Sequence, residues 1–350
     1  MAQSKDKEGE MVFPRKVLIG RGYTKKLPEL CTRLGLGKKV LIVTGRKTKT
    51  VMADKIYAEL SREFQCEMVI EDEATRDAVD DVKENAHCDF MIAVGGGSKI
   101  DIAKLASHEL GVPFISAPTT ASHDGLASPR ASLKDRKGSI SIEASVPLAI
   151  VADTEVVARS PYRLTISGCA DLMAKKSSIK DWELAHRLRN APYSSFAAAL
   201  AMLACDTIIE NSETIKEGLE ESVWIVLKSL VLSGVSMSIA GSSRPASGAE
   251  HLFAHALDRI NPGKALHGEE CGVGTILTLF LHGGDWELIK QTLKKLNAPT
   301  TARELGVSGE DIIEALTRAH TIRKDRYTIL GDQGINRGAA ERAATATGVI

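Results

Sequence analysis

A chain of 350 residues exceeds the size at which one hydrophobic core usually stops growing, so two domains are expected. Its 45 basic side chains equal its 45 acidic ones and 43% of its residues are hydrophobic, which excludes a polybasic nucleic-acid binder and a membrane-surface protein and fits a soluble globular one. No apolar run has the length of a membrane span, residues 1–9 are polar without a signal-peptide core, and six scattered cysteines without C-x-x-C spacing suit a reducing compartment, so the expected location is the cytoplasm.

After that polar start, residues 16–20 read as a strand and 24–34 as a helix closed by Gly35. Residues 39–44, 66–70, 90–94, 113–117 and 147–151 read as further buried strands, with helices at 48–64, 78–86 and 100–110. Between the fifth and last of these strands, 131–145 alternates polar and apolar around a turn at 134–138, the pattern of a hairpin. Apolar strands separated by amphipathic helices predict a parallel sheet covered on both faces, the usual architecture of a nucleotide-binding domain.

Two junctions in this half carry chemistry. The first, Gly95-Gly-Gly97-Ser98-Lys99-Ile100-Asp101, joins a buried strand to a helix. Glycines there let the backbone approach a pyrophosphate, and free N–H groups at the helix start favour an anion. The same glycines also suit a plain tight turn, and G-x-G-x-x-G is absent, which disfavours an ordinary Rossmann dehydrogenase. The second junction, Pro118-Thr119-Thr120-Ala121-Ser122-His123-Asp124 with Ser128 beyond, gathers hydroxyls that can bond a cofactor or cap a helix.

From Pro161 onward the strand signal disappears, and 164–180, 195–210, 215–234, 249–260, 272–281, 286–296 and 308–321 all have helical texture. The expected division is an α/β dinucleotide-binding domain at 1–157 and an all-α, metal- and substrate-binding domain at 158–350. Within the second, His251 and His255 share a helix face that Asn261-Pro262-Gly263 ends, and His267 stands where the next helix can begin. Imidazole is a common ligand for a divalent transition metal, although an i,i+4 histidine pair is by itself a weak pattern.

The motifs G-G-G-S-K-x-D, P-T-T-A-S-H-D, G-C-A-D, G-S-S-R-P-A-S-G-A-E-H-x-F-A-H-A-L-D and L-H-G-E-E, in this order, resemble those of the sn-glycerol-1-phosphate dehydrogenases, within the glycerol dehydrogenase and dehydroquinate synthase superfamily. The resemblance runs over nearly the whole chain. It implies a cleft holding dinucleotide and zinc, with Asp171, His251 and His267 as the zinc ligands. His255 and Asp124 become substrate-side residues, and Gly97, Ser98, Lys99, Ile100, Asp101, Thr119, Thr120, Ala121, Ser122 and Ser128 line the NAD(H) or NADP(H) site. The implied reaction is reduction of dihydroxyacetone phosphate to sn-glycerol 1-phosphate for archaeal ether lipids, by a homo-oligomer.

Arg244, where related dehydroquinate synthases place a phosphate-binding arginine, is expected to hold the substrate phosphate; the alternative is an ion-paired surface arginine. Other activities of the superfamily stay open at this point: glycerol dehydrogenase, a dehydroquinate-synthase-like lyase, or an idle dinucleotide-binding protein. The turn after the second strand, Thr44-Gly45-Arg46-Lys47-Thr48-Lys49, contains no carboxylate to repel a 2′-phosphate, so both dinucleotides are expected to bind.

Overall fold

The computed structural model describes residues 11–135 and 138–350; the polar start at 1–9 and residues 136–137 of the expected turn lie outside them. Among the described residues eight strands form: β1 (Lys16–Gly20), β2 (Lys39–Thr44), β3 (Gln65–Ile70), β4 (Phe90–Gly95), β5 (Phe114–Pro118), β6 (Arg130–Asp135), β7 (Gly138–Glu143) and β8 (Ala149–Asp153). Six of them make one sheet in the order β1-β8-β5-β4-β2-β3, every pair parallel, and β6 and β7 pair as a separate antiparallel hairpin.

The interior strands are apolar on both faces because both faces are covered. Leu41, Val43, Met91 and Ala93 point into the larger core, while Val40, Ile42, Ile92 and Val94 point into a second one with Leu27, Met52 and Ile56. From β2 the chain moves outward to the edge strand β3 and returns on the other side of β2 as β4. The carboxyl ends of β2 and β4 therefore flank the switch point where open α/β sheets leave a ligand crevice. Thr44 Oγ1 bridges those two ends by donating to the Val94 carbonyl at 2.8 Å.

The sheet ends at Asp153, and from Tyr162 onward the described residues form only helices and loops. The larger core runs without interruption from sheet residues such as Val43 and Ala93 to Leu172, Phe253 and Val273, so the two halves share one buried interior. Three expectations need correction. Residues 164–180 are two helices, Tyr162–Met173 and Lys175–Arg189, separated at Ala174, where the Asp171 carbonyl accepts from Lys175 Nζ at 2.9 Å instead of leaving the break unsatisfied. The helix expected at 272–281 begins at His267, since the Glu269 carboxylate reaches back to the Leu266 N–H at 2.8 Å and caps the earlier turn.

The third concerns the absence of a long apolar run. Helix Glu220–Ala240 is long and apolar enough to cross a membrane by length and composition alone. Val226, Leu227 and Leu230 on it are fully buried, and it packs along helix Ser195–Glu210, which makes it a core helix of the bundle.

Candidate active site

The glycine junction lies at the switch point. Gly96 precedes helix Gly97–Leu110 and offers no side-chain cap, so the first N–H groups of the helix remain available as donors. Ser98 is exposed and Gly97 and Lys99 are half-buried, whereas Ile100 and Asp101 turn into the interior. Asp101 is held there by the fully buried Lys104 at 3.1 Å, and that ammonium also donates to the carbonyls of Gly125 and Arg130. Thr120 and Ser122 lie with their hydroxyls 3.4 Å apart beside Gly96, Thr119 is buried with its hydroxyl unpartnered, and Ser128 is buried on the Arg130 carbonyl. His123 accepts the Gly125 N–H on Nδ1 at 2.9 Å, which puts its proton on Nε2, against Gly97.

The turn 44–49 also has a neighbour from elsewhere in the chain. The turn 44–49 has no carboxylate in its own sequence, but Asp72, just past β3, stands over it: Oδ1 accepts the Arg46 N–H at 3.0 Å and Oδ2 pairs with Arg46 Nε at 3.4 Å. Parallel pairing of β2 with β3 brings that residue across, a neighbour that local sequence does not reveal.

The segment 119–124 docks on helix Tyr162–Met173 at Gly168, where an added Cβ would fall 2.0 Å from the Ala121 carbonyl oxygen. At the residue before it, Ser167, Gly268 lets the start of helix His267–Leu281 approach equally closely. These contacts bring Asp171, His251, His267 and Cys271 together, with one potential ligand atom from each all within 4.8 Å of one another. His251 Nε2 is 3.3 Å from Asp171 Oδ1, and Cys271 Sγ is 3.5 Å from His267 Nε2. Asp171, His251 and Cys271 are buried and His267 is exposed, so the cluster opens on the His267 side.

Carboxylate, two imidazoles and a thiol are the donor types that zinc accepts, so the residues present fit such an ion. Glu250 supplies the supporting contact: its Oε1 accepts His251 Nδ1–H at 2.9 Å and the Gly248 N–H at 2.6 Å, leaving Nε2 as the donor atom facing Asp171. Burial works against a charged Asp171, but Lys175 and the imidazoles hold its carboxyl well below the usual range. Burial likewise opposes charge on His251, yet Cys271, Asp171 and Glu250 around it raise its pKa. The His267 ring, open on one side, is packed against His251 and His255, and that loss of water followed by their charges pushes it down, while burial pushes the Cys271 thiol up to about 11.

Asp124 stands beside this cluster, fixed by Ser233 Oγ at 2.7 Å and by the fully buried Lys175 at 3.0 Å, which also reaches Asp171 Oδ2 at 3.4 Å. The His255 ring lies 5.3 Å from that of His267, and burial, followed by the charges of His251 and Arg259, pushes its pKa down to about 3. Arg244 is half-buried in the loop that precedes helix Ala249–Ile260 and has no ion pair among the described residues. Sequence reasoning did not single out Glu250, Lys175 or Cys271. Only the carboxylate next to His251 and the helical spacing of 267 and 271 offered a signal.

Residues 18–161 match the family model of the iron-containing alcohol dehydrogenases. A glycerol-1-phosphate dehydrogenase [NAD(P)+] of Methanothermobacter thermautotrophicus is 50% identical over 340 residues, covering 97% of this chain and 98% of that protein. The enzyme of the same description from Thermococcus sibiricus is 50% identical over 343 residues, covering 97% and 98%. Among solved structures, a glycerol dehydrogenase from Schizosaccharomyces pombe superposes with a TM-score of 0.81 at 22% identity, over 97% of this chain and 90% of that one, a likeness of fold.

Proposed function

Since the chain belongs to the glycerol-1-phosphate dehydrogenase family, we propose that its Asp171–His251–His267 cluster and the crevice above β2 and β4 form one active site, reducing dihydroxyacetone phosphate to sn-glycerol 1-phosphate. The protein is an NAD(P)-dependent oxidoreductase. The observation that carries the site assignment is the convergence of three metal-donor side chains, from three helices, beside a helix N-terminus free of side-chain caps. In this reading residues 1–157 hold the dinucleotide and 158–350 hold metal and substrate, and the product enters the ether lipids of archaea.

Each residue then has a task set by its surroundings. Asp171, His251 and His267 hold zinc, with Glu250 fixing the ring of His251. Zinc, when bound, supplies a Lewis acid for a carbonyl oxygen. The N–H groups of Gly97 and Ser98 take the cofactor pyrophosphate, with the hydroxyls of Thr119, Thr120 and Ser122 alongside. Asp124, whose carboxylate already accepts from Ser233 and Lys175, accepts a substrate hydroxyl. His255 is neutral near pH 7, so it hydrogen-bonds a substrate oxygen and passes a proton as imidazole, not as a resident imidazolium. Arg244 takes the phosphate. Six free cysteines support a cytoplasmic location, and a homo-oligomer belongs to the same reading.

Oxidation of NADH and NADPH followed at one protein concentration with dihydroxyacetone phosphate and with dihydroxyacetone tests the reading. Far faster turnover of the phosphorylated ketone is expected; equal rates would point to a glycerol dehydrogenase. Chiral analysis of the product should return the 1-phosphate enantiomer, and recovery of the 3-phosphate would overturn the assignment.

A further inference from the structure

Arg326 lies 82 residues beyond Arg244 in the chain, yet it grips the loop that carries it. The Arg326 side chain is buried, with Nη1 donating to the Ser247 carbonyl and Nη2 donating to Ser243 Oγ at 2.9 Å. Its two bonds therefore bracket Arg244 on either side, while Ser178 Oγ fixes the same loop at the Pro245 carbonyl, 2.8 Å away. The third guanidinium nitrogen, Arg326 Nε, is buried without a partner among the described residues.

The positive charge around this loop is only partly offset, by Asp325 and more distant carboxylates. Among the described residues neither Arg130, Arg244 nor Arg326 has a carboxylate at ion-pair distance, and Arg130 is held by Ser141 through its hydroxyl at 3.2 Å and its carbonyl at 2.8 Å. Arg323, paired with Asp325 at 3.0 Å, is near enough to depress the pKa of all three, after burial itself, and Arg326 falls to about 9. Ser247, which Arg326 holds, lies two residues before helix Ala249–Ile260, the helix that carries His251 and His255, and the same helix packs against residues Ala319–Thr321, so the loop and the segment that follows meet at the metal cluster's helix. Buried guanidinium groups without counter-ions are costly, and a structure keeps them where an anion completes the set.

We propose that Arg326 is the positioning residue of a phosphate subsite built from Arg244 and Arg323: it fixes the 243–247 loop so that Arg244 presents its fork to a phosphate monoester beside His255. The inference rests on the reading of the substrate given above and adds the C-terminal segment 323–326 as the second wall of the site. A dianion fits this set better than an alcohol, because the guanidinium groups bond two phosphate oxygens at once and lose their mutual repulsion.

The test is the ratio of kcat/KM for dihydroxyacetone phosphate to that for dihydroxyacetone, measured for the wild type, Arg326→Gln, Arg326→Lys and Arg323→Gln. Arg326→Gln should lower the ratio by about tenfold or more, chiefly through KM for the phosphorylated ketone, with a smaller fall in Arg326→Lys, since losing the hold on Ser243 and Ser247 misplaces Arg244 and so weakens phosphate binding. The thermal stabilisation that inorganic phosphate gives the wild type should shrink in parallel. A purely structural role would depress both substrates alike, so an unchanged ratio with unchanged phosphate protection overturns the proposal. Should Arg326→Gln fail to fold, Arg326→Lys and Arg323→Gln carry the same reading. A wild type indifferent to the phosphate group would instead refute the substrate assignment, independently of the variants.

Discussion

His251 is fixed at both ring nitrogens, by Glu250 at Nδ1 and by Asp171 facing Nε2, while His255, one turn along the same helix, has no such carboxylate partner among the described residues. That difference supports the proposed roles of these two residues, since a metal-bound imidazole commonly donates its other N–H to a carboxylate. Replacing His267 with Ala should remove most of the bound zinc and abolish turnover, whereas His255→Ala should keep the zinc stoichiometry and lose activity; equal loss of metal from both, read by elemental analysis, would refute the division. Glu270 gives a second prediction. Burial, with Asp258 and Glu269 nearby, raises its pKa from the ordinary 4.5 to about 9, so the folded protein keeps a proton that the unfolded chain releases. Stability is therefore lost as pH rises through that window, by at most about 1.4 kcal/mol per pH unit, and the loss levels off near the upper value. Glu270→Gln should stabilise the protein increasingly between pH 5 and 9 in denaturant melts, and a gain independent of pH would contradict this sign.

Among the elements, those with marked ends were legible in the sequence. Helix Ser195–Glu210 begins after Ser194, whose side chain accepts from the Ala197 N–H, and helix Ala249–Ile260 stops at Asn261-Pro262-Gly263, so both bounds follow from residue type. The break at Ala174 was not legible, because no proline or glycine marks it and the groups that satisfy it come from the fold. Likewise the motif histidines could be read, while Asp72 over the cofactor turn and Arg326 behind Arg244 depend on long-range pairing that spacing does not encode. Gly168 belongs to this second kind, since nothing in G-C-A-D says what its bare backbone touches. An alanine there would place Cβ 2.0 Å from the Ala121 carbonyl, backbone against backbone, so the loop or the helix carrying Asp171 must move. We expect Gly168→Ala to cost about 1–3 kcal/mol as overpacking does, and to weaken zinc retention as well. A variant with wild-type urea stability and metal content would show that this contact has slack.

Over the whole molecule, the proposed metal site and the sheet belong to one mechanical unit. The three ligands come from helices Tyr162–Met173, Ala249–Ile260 and His267–Leu281, and buried residues of all three join the same core as β2, β4 and β5. A chain of this length usually divides into separately melting domains. Here the shared interior argues against that, because unfolding the helical half would expose Leu126 in the turn 124–126, against which helix Glu220–Ala240 packs, and uncover β7, against which helix Ala249–Ile260 packs. An ion that binds only the folded protein stabilises it by about 4 kcal/mol when present at a thousand times its dissociation constant. Removing zinc with a chelator should therefore lower the midpoint of one thermal transition and leave it single, with sheet and helix signals in circular dichroism moving together. If chelation instead split the melt, so that a helical transition preceded an unshifted one from the dinucleotide half, the core would not couple the two parts and the crevice would persist without the metal site beside it.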